Sequence, residues 1–600
     1  MSFLFDHMRE VNFQLHNVLE SEQAFSGGVF ADYTPETMSA FLETARAVAE
    51  DHYLPHYQTG DQQEPAFDGE KVHLLPELAD AWRAFADAGF LSAHHDAEHG
   101  GMHMPQTLNS ACMSFFYGAN ISFSGYSLLT IGAGNLIRSF GTEDQIARFL
   151  APMTDGRFAG TMALTEPGQG SALSDIKTTA ELQPDGSYRL KGHKMFISGG
   201  DQSITENIVH MVLARIKGAP EGVKGISLFI CPKVRVGEDG SLGDRNDVAL
   251  AGLLHKMGYR HTTSTVLNFG ENDNCEAFLV GEPNRGLSYM FQMMNEARIN
   301  VGLGAVMLGL AGYHYSLNYA RERQQGRLPS CKDPLSPQVP LVAHPDIRRL
   351  LLAQKAYGEG ALALALYASQ QVDRIELADD GAEKKRLLGL LDLLTPVVKS
   401  YPSEYGLEAN KMAIQVLGGS GYIREYPVEQ YYRDNRLNPI HEGTEGIQGL
   451  DLLGRKVVID GGASLKLLLE CIAEDVRLAS EDVVGEEITI PVAESLDLVG
   501  RVTRTLTGKM AEDVDLALAN ATLYLDFMGR VIIAWMWLRQ ARAAKLALNE
   551  EPEGNQADYY QGKLQAARYF MGRELTRTKE QANILMGFES SAFEMQDSWF

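Results

Sequence analysis

In the stretch Asn438 to Gln448, "NPIHEGTEGIQ", Glu442 stands between His441 and Gly443, and Glu445 follows a short way on. A carboxylate set against an apolar substrate and away from water becomes a stronger base, able to take a weakly acidic carbon-bound proton. Pro439 and Gly443 mark a loop that enters the helical pattern "EGIQGLDLLGRKV". The positive end of such a helix favours an acidic side chain with no catalytic task, so each glutamate taken alone reads as an ordinary charge.

Two glycine-bearing turns could hold a polar ligand. "LTEPGQGS", Leu164 to Ser171, begins at the end of a predicted strand and offers hydroxyls and glycine amides to a flat polar group; by itself it also reads as a plain Pro-Gly connection. "QVLGGSGY", Gln415 to Tyr422, puts Gly418 and Gly419 where a helix should end, as a cap or as a place where backbone amides approach an anion. "GLGAVM" at Gly302 and "GAGNLI" at Gly132 lack the third glycine of the dinucleotide fingerprint and do not sit between a strand and a helix.

The elements that must position these residues follow from the hydrophobic period. After an N-terminal extension, 1–34, helical spacing runs over 35–155, in stretches such as "ETMSAFLETARAVAEDHY". Short β-branched and aromatic runs, "FAGTMALTE", "SYRLKGHKMFISGG", "NIVHMVLARI", "GISLFICPKV" and "TSTVLNFG", predict a small β domain over 156–280. Helical spacing returns over 281–457, broken by the Pro-rich insert "LPSCKDPLSPQVPLVAHP", and a further helical segment, 458–600, follows "VIDGGAS".

A chain of 600 residues with 45% hydrophobic content has the length and apolar mass for several packed units. Its net charge of -25 and acidic tail argue against a nucleic-acid surface. Five scattered cysteines with no C-x-x-C pair point to free thiols, and the charged N-terminus is no secretory signal, so a cytoplasmic location is expected. Ile299 to Ala320 is apolar over a spanning length, but its glycines and flanking arginines read as a buried helix. "RVIIAWMWLRQARAAKLAL", Arg530 to Leu548, reads as core or subunit-interface packing, with a membrane-surface helix as the alternative.

Taken together and in this order, the motifs resemble those of the acyl-CoA dehydrogenases, over about residues 80 to 455. The long N-terminus and helical tail are similar to the large subgroup that includes 3-methylmercaptopropionyl-CoA dehydrogenase and bacterial fatty-acyl-CoA dehydrogenases. The resemblance implies an α+β multidomain fold: an N-terminal helical domain, a central small β-barrel or sandwich, a helical bundle carrying the base, and an extra C-terminal helical domain. It also implies FAD as cofactor, an acyl-CoA substrate, an electron-transferring flavoprotein as electron acceptor, and a homo-oligomer, with a dimer expected. No nucleic acid, metal or transmembrane segment is implied.

Residue by residue, the resemblance makes Glu442 the base of an "EGT" motif, with Thr444 near the flavin and Gly443 beside the thioester. Leu164, Thr165, Phe196 and Ser198 would contact the isoalloxazine, and Arg323 in "YARERQQGR" would pair with the pyrophosphate. Gln415, Gly418 and Gly419 would hold the adenosine diphosphate part of a neighbouring subunit's FAD. Ser171, Met294 and Arg298 would face the substrate. Some members carry the base just before the arginine matching Arg298; here that position is Ala297, and Glu296 is turned about 100 degrees away on a helix. The chain departs from the pattern at Ala172, commonly an aspartate, and at Gly326, usually an aromatic.

The chemistry implied is α,β-dehydrogenation of a thioester to the trans-2-enoyl product: Glu442 takes the α proton, the flavin takes the β hydride, and the backbone N–H of Glu442 steadies the enolate oxygen. The rival readings are an acyl-CoA oxidase, which would release peroxide, and a flavin-containing DNA-binding protein of the same superfamily. Glu445 reads as a charge in the first turn of the next helix.

Overall fold

The computed structural model describes residues 3–600, and the side chains of all of these except residues 5 and 291–294. Two compact units emerge, residues 36–297 and residues 1–35 with 298–600.

In the first unit, helices including Glu77–Asp87 and Gln106–Phe140 precede the sheet. The β segment forms one eight-stranded sheet, ordered Val248–Leu253, Ser264–Phe269, Tyr188–Ser198, Glu276–Val280, Ile226–Pro232, Asn207–Ile216 and Phe158–Ala163. The eighth strand, Thr179–Leu182, pairs with both Tyr188–Ser198 and Asn207–Ile216. That double pairing closes a ring through Glu276–Val280 and Ile226–Pro232, so the β domain is a small barrel rather than a sandwich. Alternation along Asn207–Ile216 sends Val212 and Ala214 into one apolar cluster with Tyr188, Leu190 and Phe229. Met211 and Leu213 go into another, with Phe158 and Ile137. Three strands of this sheet, Thr179–Leu182, Val248–Leu253 and Glu276–Val280, lie outside the five runs that the sequence pattern singled out.

In the second unit, Pro345–Leu377 and Gly381–Leu417 are a long helical pair, against which the C-terminal part of Gly286–Glu322 packs. Gly302 makes that approach possible, since a Cβ there would lie 2.1 Å from the Val398 carbonyl oxygen. Pro402, four residues on, has no N–H to give that same carbonyl. The contact brings Arg298 and Lys399, each about a turn or less away, into one neighbourhood.

The apolar tail helix, Ala521–Asn549, is long and apolar enough to cross a membrane by composition, yet Trp535 and Trp537 are fully buried in the protein core. The N-terminal segment belongs to the same unit. Its Glu10 is held at 2.6 Å by Lys563 of the tail, and Phe13 packs with Ala543, Ala544 and Tyr560.

Candidate active site

The loop ahead of the helix Glu445–Asp451 turns on two successive residues with left-handed backbone, Glu442 at φ 52° and Gly443 at φ 90°. Glycine is required at the second position, because a Cβ would also come within 2.6 Å of Gln448 Nε2. Glutamate at the first is strained, and strain of this kind collects where a side chain must be aimed. Three groups hold the turn. Buried Gln448 donates Nε2–H to the Glu442 carbonyl at 2.9 Å, and buried Lys399 donates Nζ–H to the Gly443 carbonyl at 2.7 Å. Thr444 caps the helix, its Oγ1 accepting from Ile447 N at 3.4 Å. The N–H of Glu442 itself has no acceptor among the described residues, so it is available as a donor.

Burial pushes the Glu442 carboxyl up, while the Arg298 and Lys399 charges oppose the rise. Arg298 is itself buried and paired with Asp451 at 3.0 Å, and its Nε has no partner among the described residues. Burial brings Lys399 down to about 8, against the upward pull of Glu445, Glu442 and Glu404. Burial also lowers His441 to about 3, so this imidazole is neutral, with its Nε2 3.0 Å from Asn438 Oδ1.

Glu445 stands in the first turn of its helix, where the sequence reading puts it. Burial and then the neighbouring Glu404 push its carboxyl to about 8. Both carboxyls of this pair are pushed toward the neutral acid. Glu296 belongs to the other unit, where Asn135 Nδ2 donates to it at 2.8 Å and His94 and His95 both contact Asn135 Oδ1.

Among the flavin candidates of the barrel unit, Leu164 and Thr165 lie just after the strand Phe158–Ala163, on a turn locked from beneath. The ammonium of Lys194 donates to the Leu164 carbonyl and to the Glu166 carboxylate, both at 2.9 Å, and both charged side chains are buried. Glu166 also accepts from the backbone of Lys177 and Thr178. Met195 N donates to the Thr165 carbonyl. Phe196 sits in a β-bulge: Ile197 pairs with Thr265 but Lys194 pairs with Leu267, leaving two residues opposite one. Its φ of 58° turns the ring outward, 61% exposed, while Ser198 stays half-buried opposite Ser264. Ser171 lies on the exposed turn beyond Glu166, and Met294 is outside the described side chains.

In the second unit, Arg323 is exposed and no carboxylate faces its guanidinium among the described residues. Tyr319, one turn earlier, donates to Ser420 Oγ at 3.3 Å in the glycine turn that ends the helix Gly381–Leu417. There Gln415 is exposed, Gly418 takes φ 61°, and neither Gly418 nor Gly419 has any atom within 4 Å of where a Cβ would lie. Gly326, with φ 63°, uses a conformation an aromatic residue would resist.

These features suit FAD piece by piece. An outward aromatic ring suits a planar heterocycle, an unpaired arginine suits a pyrophosphate, and bare glycine backbone suits close approach of a nucleotide. Lys399, Gln448, Asp451 and Glu404 escaped the motif reading. Lys399 left one signal, as the lone charge between Asp392 and Glu404 in "DLLTPVVKSYPSE".

Comparison with known proteins agrees along the whole chain. Residues 35–157, 161–271 and 284–457 match the N-terminal, middle and C-terminal domain models of acyl-CoA dehydrogenase, and 468–596 match the model described as acetyl-CoA dehydrogenase C-terminal like. The chain is 35% identical to 3-methylmercaptopropionyl-CoA dehydrogenase of Ruegeria pomeroyi, over 94% of each protein. It is 33% identical to a broad-specificity linear acyl-CoA dehydrogenase of Mycobacterium tuberculosis, over 100% of each. An acyl-CoA dehydrogenase from Bacillus anthracis solved with FAD has the same fold, with a TM-score of 0.72, 21% identity, and coverage of 94% of this chain and 90% of that one. The chain belongs to the acyl-CoA dehydrogenase family.

Proposed function

We propose that the protein oxidises an acyl-CoA thioester to its trans-2-enoyl form, with Glu442 as the base. The observation that carries this reading is Glu442 itself, a half-buried carboxyl raised by desolvation, on strained left-handed backbone, whose own N–H has no acceptor among the described residues. When bound, FAD supplies the acceptor for the hydride that leaves the β carbon.

The residues of the chain do the rest. Glu442 takes the proton from the α carbon, and the electron pair of the broken C–H bond forms the new carbon–carbon double bond as the β hydride departs. The Glu442 N–H donates to the thioester oxygen as negative charge develops there, so one residue supplies both base and oxyanion donor. Arg298 and Lys399 oppose the rise that desolvation causes in this carboxyl. Phe196, Ser198, Leu164, Thr165 and Thr444 are proposed to contact the flavin, Arg323 its pyrophosphate, and Gln415, Gly418 and Gly419 the adenosine diphosphate of a second subunit's FAD, within a homodimer. Ser171, Met294 and Gly443 are proposed to border the acyl-CoA. Electrons are proposed to leave through an electron-transferring flavoprotein.

The test is anaerobic flavin bleaching with a panel of acyl-CoAs that includes the straight-chain and thioether acyl groups after which the two relatives are named. Glu442→Gln should bind FAD and acyl-CoA normally, yet reduce its flavin at least about a hundredfold more slowly. Rapid bleaching in that variant would overturn the assignment.

A further inference from the structure

We propose that Lys399 is a positioning residue for Glu442: from inside the helix Gly381–Leu417 it grips the Gly443 carbonyl, fixing the left-handed turn that carries the base, with its ammonium set beside that loop. The inference rests on Glu442 being the base.

Lysine side chains ordinarily reach for water, but Lys399 is wholly buried in an otherwise apolar stretch of helix. Its Nζ donates at 2.7 Å to one residue, Gly443, immediately after the base. With Gln448 on the Glu442 carbonyl, both carbonyls of the two left-handed residues are tied down by buried side chains. A turn tied at both carbonyls fixes the direction in which the Glu442 side chain leaves the backbone. The helix is held in its turn by the Gly302 contact at Val398, next to Lys399 in sequence.

The surrounding charges decide what the ammonium can do. Glu442 and Glu445 face it from the loop and the following helix, Glu404 from its own helix, and Arg298 from Gly286–Glu322. Arg436 and Asp526 act on Glu404 behind them. Glu404 and Glu445 are both pushed toward the neutral acid, so they spend less of the lysine's charge than two full anions would. Part of its field therefore remains for Glu442.

The test compares FAD-loaded wild type, Lys399→Met, Lys399→Arg and Glu442→Gln. Flavin reduction is followed against pH, and the Glu442 carboxyl is titrated by infrared difference between each form and its Glu442→Gln partner. Lys399→Met should slow limiting reduction about tenfold or more, with acyl-CoA affinity held within about threefold. Removal of a cation favours the protonated acid, so both the infrared titration and the acidic limb of the rate should move up by about one pH unit. Lys399→Arg should return the limb to its wild-type position while recovering only part of the rate, since it keeps charge but not the shape of the ammonium.

A wild-type rate and limb in Lys399→Met would overturn the proposal, as would slow reduction accompanied by lost FAD and an unmoved Glu442 titration. Should Lys399→Met fail to fold, Lys399→Arg decides: a wild-type limb with a reduced rate supports the role, and a limb displaced despite the retained charge overturns it. Fast reduction in Glu442→Gln would remove the base assignment itself. A silent Glu442→Gln beside an unaffected Lys399→Met would remove only the role of Lys399.

Discussion

Glu442 and Glu445 share a residue type and a loop, and environment separates them. The Glu442 carboxyl faces the cations Arg298 and Lys399, which resist protonation, whereas Glu445 faces another carboxyl, which promotes it. A protonated glutamate is well imitated by glutamine, so Glu445→Gln should keep flavin reduction within about threefold of wild type. The same substitution has a stability signature. The folded-state value of Glu445 lies near 8, above its ordinary 4.5, so its proton favours the fold at low pH and that contribution is lost as pH rises between the two. The thermal midpoint of wild type should therefore decline across that interval more steeply than that of Glu445→Gln, and parallel curves by scanning fluorimetry would contradict the raised Glu445 carboxyl.

At the scale of elements, the two pieces of strained backbone were out of reach of sequence pattern for a definite reason. "HKMFISGG" reads as a strand, but the bulge at Phe196 exists only in the register against Ser264–Phe269, and no period within one strand reveals a two-against-one pairing. The strands Val248–Leu253 and Glu276–Val280 escaped because their residues are mostly half-buried and do not alternate cleanly. Glycine and helix-start signals were legible: Gly418 ends its helix and Thr444 begins one, as their types suggest. Lys399 shows the limit. A lone lysine in an apolar helix signals a buried partner, and only the packing of Gly302 against Val398 shows which loop it reaches. Gly302→Ala tests that packing. Its Cβ would meet the Val398 carbonyl, so the helices must separate, at a cost of about 1–3 kcal/mol. A lower thermal midpoint together with slower flavin reduction is expected, because Arg298 and Lys399 ride on the two helices concerned. An unchanged midpoint would mean that the contact yields freely.

Across the molecule, the N-terminal segment and the C-terminal tail, far apart in sequence, close one buried polar network. Lys563 is fully buried, with Glu10 at 2.6 Å and Glu359 at 2.8 Å, and the Gln540 side chain completes its donors. Burial pushes the Glu10 carboxyl up, and the Lys563 and Lys355 ammoniums more than reverse this, so it stays charged. Such a knot adds little when whole but is expensive to break, since one missing partner strands the others without water. Lys563→Met takes from buried Glu10 its direct ion pair and leaves Lys355 as the cation beside Glu359, and should lose about 3–5 kcal/mol of stability. The loss should appear as a marked fall in thermal midpoint, while flavin reduction at low temperature keeps the wild-type acidic limb, because among the described residues no Lys563 hydrogen bond or ion pair reaches the Glu442 loop. Lys399→Met should show the converse, a displaced limb at a site whose charge acts on the base. If Lys563→Met moved the limb as far as Lys399→Met does, the position of the Glu442 titration would report the stability of the unit as a whole, and the local electrostatic account of the base would fail.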